Sequence, residues 1–273
     1  MSISNQGFLL RIFKSGWQDI FAAFKRYELA GVLGWQDIRQ RYRRSSLGPF
    51  WITISMGVLI GALGLVFGNL FDTPMKEFLP FLTVGLILWT LITTILTEGC
   101  TGFTVAEAII KQISLPLFTH ILRVIWRNLI IFGHNIVIYP LVLLVFWLPL
   151  RPSAALSVVG LVLLMINLSW IALLLGVLCT RYRDIPQIVS NLLQVCFYLT
   201  PIIWMPHLLP KRASLLLLDA NPFFHLIEIV RAPLMGTLPS AVNWLVCILL
   251  ALVGWGVTIL FYGRFRSRIA YWL

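Results

Sequence analysis

The chain has 273 residues, of which 59% are hydrophobic and 11% are charged. A soluble domain carries about 45–50% apolar and about 25% charged residues, so this composition excludes an ordinary soluble protein and favours an all-α integral membrane protein. The net charge of +11 would suggest nucleic-acid binding in a soluble protein. Here the basic residues flank apolar runs, so membrane topology explains them better, and we expect no nucleic-acid partner.

Residues 1–48 are predicted to form a cytoplasmic interface region that contains an amphipathic helix over residues 8–28. Its apolar residues share one face of a 3.6-residue period, and basic residues occupy the other side. The apolar set is Phe13, Trp17, Ile20, Phe21 and Phe24. An aromatic face opposite a basic one is typical of a helix on the membrane surface. The alternative, a helix packed on a soluble domain, is less favoured because the chain offers no such domain.

Residues 49–273 are predicted to be a transmembrane domain with six helices. About 20 apolar residues span a bilayer, and the uncharged runs place the spans at about 51–71, 78–97, 124–148, 153–179, 186–204 and 242–262. Most of the 21 Lys and Arg residues lie in segments that face the cytoplasm if the N-terminus does. This distribution predicts that both termini are cytoplasmic.

A proline-rich segment, residues 205–241, separates the fifth and sixth predicted spans. Its apolar stretches at 213–218 and 223–230 are too short to cross a bilayer. Asn221 and Pro222 are predicted to be the cap and the first residue of a short helix. We expect a re-entrant helical hairpin that dips into the outer leaflet. The alternative is an ordinary outer loop.

Nucleotide-binding and catalytic signatures are absent from the sequence. It contains no G-x-x-x-x-G-K-[ST] loop, no G-x-S-x-G and no H-E-x-x-H. The carboxylates are scattered and the four cysteines lack C-x-x-C spacing, so no metal site is predicted. Charged residues are almost missing from the spans, which disfavours an ion-coupled transporter. We therefore expect a transport subunit without a cofactor of its own, driven by a partner ATPase.

Four segments carry recognisable motifs: RYRRSSLGPFW at 41–51, FLTVGLILW at 81–89, AIIKQISLP at 108–116 and DANPFFHLIEIVR at 219–231. They resemble segments of the type-2 ABC export permeases, and the first is similar to the entry to the first span in that family. With the order of the spans, the resemblance covers nearly the full chain. The likeness is strongest to the branch that exports O-antigen and capsular polysaccharides.

The resemblance implies a homodimer in the bacterial inner membrane with two cytoplasmic ABC ATPase subunits, which bind ATP and Mg. It implies that a lipid-linked polysaccharide moves outward between the two permeases. It also implies a coupling helix at about 105–113, with Val105, Glu107, Lys111 and Ile113 at the ATPase contact. Two alternatives stay open: a type-2 ABC permease for teichoic acid precursors, lipids or drugs, and a membrane enzyme of glycan assembly.

Aromatic residues in spans one, two and five are candidates for the path of the glycan, because the C–H faces of sugars pack on rings. The candidates are Phe50, Trp51, Phe67, Trp89, Phe197, Tyr198 and Trp204. In the family that this chain resembles, spans one and five line the path. The alternative role is interfacial anchoring, since Trp and Tyr are enriched at membrane interfaces.

A basic cluster precedes the first span and has two interpretations. It consists of Arg39, Arg41, Arg43 and Arg44. In the first interpretation these residues stop membrane crossing and attract anionic lipid headgroups. In the second they contact the pyrophosphate of a lipid-linked sugar, which arginine suits because of its forked hydrogen bonding.

Overall fold

The computed structural model describes residues 2–43, 48, 50–208 and 218–273, and no β-strand occurs within these ranges. Five helical segments are long and apolar enough to cross a bilayer. They are Phe50–Leu70, Met75–Cys100, Phe118–Val145, Pro152–Arg181 and Ala241–Trp272. The chain is therefore an all-α, multi-pass membrane protein.

Eleven α-helices occur in the described part of the chain, and they are numbered here in chain order. They are α1 (Ser2–Lys25), α2 (Tyr27–Tyr42), α3 (Phe50–Leu70), α4 (Met75–Cys100), α5 (Glu107–Gln112), α6 (Phe118–Asn135), α7 (Ile138–Val145), α8 (Leu156–Arg181), α9 (Ile185–Leu199), α10 (Pro222–Leu234) and α11 (Ala241–Trp272). Short 3₁₀ turns lie at Pro152–Ala155 and Pro206–Leu208.

Prolines explain where two predicted spans differ from the observed helices. The third span is broken between α6 and α7, because Pro140 has no N–H to donate to the carbonyl of Ile136, four residues earlier. In the fifth span, α9 ends at Leu199, and Thr200 is extended. A residue before a proline, here Pro201, is disfavoured in the α region. At 15 residues, α9 is about 22 Å long, shorter than the bilayer core of about 30 Å.

The core of the bundle surrounds α4, which is mostly buried and contacts α3, α6, α8, α9 and α10. By contrast, α3 exposes most of its surface. Close helix crossings depend on glycine: a Cβ atom at Gly160 of α8 would lie 2.2 Å from the carbonyl oxygen of Ile229 in α10. The short helix α10 therefore packs directly on the backbone of a long one.

The helix α1 has an exposed aromatic face and a buried face. Phe13, Trp17, Phe21 and Phe24 are exposed. Ile20, predicted on the same apolar face, is instead buried on the side that packs against α11 and α6. The rings of Phe13, Trp17 and Phe21 therefore point away from the protein, which is consistent with a helix on a membrane surface, whereas the ring of Phe24 packs on Phe118 at the start of α6.

Contacts between distant helix ends show which segments share one end of the bundle. The guanidinium of Arg181, at the end of α8, lies 5.2 Å from the ring of Trp272, at the end of α11. The backbone N–H of Phe118, at the start of α6, donates to Asp19 of α1. Asp19 also forms an ion pair with Arg266 near the end of α11. The helix α1, the start of α6 and the ends of α8 and α11 therefore lie at the same end.

Polar contacts hold the helix α10 in place. Asn221 caps it as the sequence predicts: its side-chain oxygen accepts from the N–H groups of Phe223 and Phe224. The Asn221 amide also donates to the Thr200 hydroxyl at 2.9 Å, and His225 pairs with Asn243 of α11 at 2.7 Å. With 13 residues, α10 is too short to cross a bilayer. The first half of the predicted hairpin, at 213–218, lies largely outside the described residues.

Candidate functional site

Four of the predicted path residues come together where α4 meets α9. The buried Trp89 packs against Phe197 and against Phe223 of α10, with ring centroids 5.9 and 5.5 Å apart. Phe197 in turn meets Tyr198 edge-on at 5.3 Å. The indole N–H of Trp204 donates to the Tyr198 carbonyl at 3.1 Å. The rings of Trp89, Phe197, Tyr198 and Phe223 thus form one continuous group, and Trp204 is held beside it by a hydrogen bond to the backbone.

The candidates on α3 lie apart from this group. Phe50 and Trp51 are exposed at the start of the helix, and Phe67 stacks on Phe71 at 5.7 Å. Within the described part of the chain, no ring contact connects α3 to the α4–α9 rings. In a single copy of this protein, the predicted aromatic path is therefore divided between two surfaces.

A cavity of about 340 Å³ lies beside the ring group. We call it the α4–α9 cavity. It combines aromatic, hydroxyl and amide side chains, and none of its lining residues is charged. It is lined by Trp89, Thr93, Thr97, Ser190, Leu193, Gln194 and Phe197. Such a surface offers both ring faces and neutral hydrogen-bonding groups to a ligand.

The polar lining of this cavity continues along α9 as an exposed stripe that the sequence analysis missed. Its members lie at i, i+3, i+4, i+7 and i+11, the spacing of one helix face. They are Gln187, Ser190, Asn191, Gln194 and Tyr198. The spacing of these five residues could have predicted the stripe. It was overlooked because the apolar residues between them make the segment hydrophobic on average. Polar side chains are costly against lipid, so the stripe indicates that this face of α9 contacts water or protein.

The structure separates the members of the basic cluster. Arg39 and Arg43 line an open cavity of about 980 Å³ together with Trp35, Gln36 and Gln40. Arg41 instead forms an ion pair with Glu98 of α4 at 3.2 Å. Arg44 lies outside the described residues. The two arginines of the cavity keep their charge accessible, whereas Arg41 has a structural partner.

A network of charged residues connects α2, α4 and α6 beside this cluster. Asp37 accepts from Arg123, through Nε at 2.7 Å and through a second nitrogen, and from Arg127 at 2.7 Å. Arg127 also pairs with Glu98 at 2.6 Å. Burial alone would raise the pKa of Asp37, but the hydrogen bonds and charges of the two arginines outweigh it and hold the pKa below its usual value. No local pattern in the sequence indicates this network, because Arg123 and Arg127 lie 86 and 90 residues from Asp37 and Glu98 belongs to a third helix, α4.

The predicted coupling segment is an exposed surface helix. Its helical part, α5, has no buried residue, and the flanking Val105 and Ile113 are exposed apolar side chains. Glu107 and Lys111 form an i,i+4 ion pair at 2.6 Å, and the Lys111 ammonium lowers the pKa of Glu107. Exposed Val and Ile beside a charged pair form a surface suited to a protein partner.

Comparisons with known proteins agree with this layout. Residues 28–235 match the ABC-2 type transporter family. The O-antigen export system permease protein RfbA of Myxococcus xanthus is 26% identical over 207 residues, which cover 72% of this chain and 76% of that protein. The residues that match the family include α5 and both walls of the α4–α9 cavity.

Proposed function

Because this chain belongs to the ABC-2 type transporter family, whose permeases work with an ABC ATPase, we propose that it is the permease subunit of a polysaccharide exporter. In this proposal, a lipid-linked glycan of the O-antigen or capsule type crosses the bacterial inner membrane from the cytoplasm outward. A separate ATPase subunit binds ATP and Mg and supplies the energy. The similarity to an O-antigen export permease supports the choice of cargo.

The observation that carries the proposal is the chemistry of the α4–α9 cavity. Sugars present apolar C–H faces and many neutral hydroxyl groups, and they bind where rings lie beside hydroxyl and amide groups. Trp89 and Phe197 supply the rings, and Thr93, Ser190 and Gln194 supply the hydrogen-bonding groups. A long chain that must slide needs many weak contacts of this kind rather than one enclosed pocket. The exposed polar stripe of α9 extends the same chemistry along the helix.

The contacts at one end of the bundle support six crossings with both termini in the cytoplasm. The ends of α8 and α11 are neighbours, at Arg181 and Trp272. The chain must therefore return to the opposite end between them before α11 begins. We assign that return to α9 and the residues that follow it, which together make the fifth crossing. The basic residues Arg181, Arg264, Arg266 and Arg268 at the shared end place it inside by the positive-inside rule.

A second copy of the chain completes the path in this proposal. The helix α3 is largely exposed, and neither Gly57 nor Gly61 has a neighbour that a Cβ atom would meet within 4 Å. The G-x-x-x-G spacing lets helix backbones approach closely inside a membrane. A contact of α3 with the partner copy would bring Phe50 and Trp51 toward the partner's side of the channel. This would reunite the two aromatic surfaces that one copy keeps apart.

The cavity beside Arg39 and Arg43 is the proposed site for the charged end of the cargo. Arginine binds phosphate through two parallel hydrogen bonds, and Trp35 offers a ring for the first sugar or for the lipid. An anionic phospholipid headgroup would bind by the same chemistry. Competition between lipid-linked pyrophosphate and phosphatidylglycerol in detergent distinguishes the two.

A deletion strain tests the proposed cargo. Cells without this protein should accumulate the complete lipid-linked glycan in the cytoplasm and lose it from the surface, and a plasmid copy of the gene should restore export. Loss of a teichoic acid, a lipid or a drug resistance with normal surface glycan would instead favour another substrate of the same family. Transferase activity in the purified chain would argue for an enzyme of glycan assembly.

A further inference from the structure

The side chain of Asp19, on α1, is 1% exposed and binds groups from three parts of the chain. Its carboxylate accepts the backbone N–H groups of Leu117 and Phe118, at 3.2 and 3.0 Å. It also accepts the hydroxyl of Tyr262 and forms an ion pair with Arg266 at 2.8 Å. Tyr262 and Arg266 both belong to α11. One carboxylate therefore joins α1, the start of α6 and α11.

These contacts explain how a buried carboxylate is tolerated. Burying a charge is costly unless it is paired and hydrogen-bonded, and four donors surround this one. Two of them are N–H groups at the first turn of α6, a helix whose own N-cap residue provides no side-chain bond. A negative charge at this position also interacts favourably with the helix dipole. Asp19 thus caps α6 from another helix.

Apolar packing reinforces the same junction. The ring of Phe118 lies between Phe24 of α1 and Trp255 of α11, with centroids 5.7 and 5.9 Å away. At the crossing of α1 and α11, a Cβ atom at Gly263 would lie 2.1 Å from the carbonyl oxygen of Ile12. The two helices are in backbone contact there, so they have little room to slide past each other.

The position of this junction suggests its role. Only residues 113–117 separate α5 from α6, so Asp19 holds the far end of the segment that follows α5. We propose that Asp19 is a positioning residue that makes residues 113–117, α1 and α11 move as one unit. A displacement of α5 by the ATPase is then passed to α1 and α11. This inference rests on the proposed function, in which α5 contacts the ATPase.

The first test compares Asp19→Asn with wild type in the purified complex of permease and ATPase. The amide keeps the shape of the side chain but loses the charge and presents an NH₂ group to the donors. We expect glycan export per ATP hydrolysed to fall about tenfold, a coupling effect of ordinary size, with the complex still assembled. Tyr262→Phe should lower the same ratio, and the two effects should be less than additive because they share one bond.

The matched control is Asp37→Asn, which removes a partly buried carboxylate that binds α6 through Arg123 and Arg127 but not the segment 113–117. Asp37→Asn should lower the amount of assembled complex, but glycan export per ATP hydrolysed should stay unchanged. A purely structural role of Asp19 predicts the same pattern for Asp19→Asn, and that result would overturn the inference. If Asp19→Asn does not assemble, Tyr262→Phe is the deciding variant. Normal glycan export per ATP hydrolysed in Tyr262→Phe would then refute the proposal.

The second test does not depend on weakening the fold. Gln18 and Ser114 line one cavity of about 460 Å³ between α1 and the segment 113–117. Both are replaced by cysteine in a chain that carries Cys196→Ser, since the other three native cysteines are buried. A short bismaleimide then joins α1 to the segment. If the two move as one unit, the cross-linked complex exports at the rate of the uncross-linked one.

The results also separate this inference from the proposed function. A cross-link that abolishes export, while each single-cysteine control treated with the reagent remains active, would show that α1 and the segment move relative to each other. Wild-type complex that hydrolyses ATP but moves no glycan would contradict the proposed function instead.

Discussion

The guanidinium of Arg231, in α10, donates to the carbonyl oxygen of Pro201 at 2.6 Å. Arg231 is 1% exposed, and its remaining polar contacts go to Glu228 at 2.7 and 3.1 Å. Its charge also lies 4.0 Å from the ring centroid of Phe81 in α4. The segment just after α9, the helix α10 and the core helix α4 therefore meet at one arginine.

Arg231→Lys should destabilise the assembled permease although the charge is kept. Lysine cannot reproduce the fork that binds Glu228 and Pro201 together, and the lost charged hydrogen bonds amount to about 2 kcal/mol. Thermal unfolding in detergent, followed by size-exclusion chromatography, measures the effect. The same substitution at the exposed Arg268 is the control and should change the midpoint little. Equal midpoints for the two variants would refute the role of Arg231.

Phe197→Leu should slow export without preventing assembly. The leucine keeps apolar volume beside Trp89 but removes a ring, and a lost stacking contact amounts to about 1 kcal/mol, or about a fivefold effect on rate. The measurement is surface glycan per assembled complex. Phe261→Leu is the matched control, because this half-buried ring of α11 packs on Phe265 and lies outside the proposed path. An equal loss for Phe261→Leu would mean that the effect is not specific to the path, and normal export for Phe197→Leu would exclude Phe197 from the path.

Exchanging the charges of Glu107 and Lys111 tests the contact surface of α5. The double variant Glu107→Lys, Lys111→Glu keeps an i,i+4 pair and the net charge, so α5 should persist. The charge pattern that it presents to the ATPase is inverted, however. We expect both export and the ATP hydrolysis coupled to it to fall, with the permease still folded. Unchanged hydrolysis and export would mean that another surface, such as Arg181–Asp184, makes the contact.

The stability contributed by Asp37 should depend on pH. Its pKa is lowered in the folded protein, so its contribution is fully present above the ordinary aspartate value of about 4 and is lost as pH falls through the lower folded value. The free energy of unfolding of Asp37→Asn should therefore be about 2 kcal/mol lower than that of wild type at pH 7. This gap, measured by denaturant unfolding in detergent at a series of pH values, should narrow below about pH 4. A gap that stays constant down to pH 3 would exclude an ionised Asp37 as its cause.

The sequence predicted the parts of the fold that depend on local composition. Long apolar runs locate the five spanning segments because a helix in lipid must satisfy its own backbone. Asn221 and Pro222 predict the start of α10 because capping involves neighbouring residues. Even the break after α6 has a local cause in Pro140, although the apolar run hides it.

The contacts between distant residues that position the candidate site could not be predicted from local sequence patterns. Asp19 is an acidic residue in an amphipathic helix, which local pattern assigns to the polar side. Its four partners lie 98, 99, 243 and 247 residues further along the chain, at Leu117, Phe118, Tyr262 and Arg266. The exposed stripe of α9 is visible as a spacing in the sequence, but its exposure depends on how α4 and α8 pack around α9. The ring group at Trp89 likewise requires α10 to return to α4.

Reconstitution tests the central claim most directly. The permease and its ATPase are placed in liposomes that carry a fluorescent lipid-linked oligosaccharide. After ATP is supplied, a glycosidase is added outside. The measurement is the change in the fraction of labelled sugar that this enzyme can cleave. We predict ATP-dependent movement of this substrate across the bilayer, which stops when the permease is omitted and is slower with Phe197→Leu. Movement of a plain phospholipid with no movement of the lipid-linked sugar would contradict the proposal of a polysaccharide exporter.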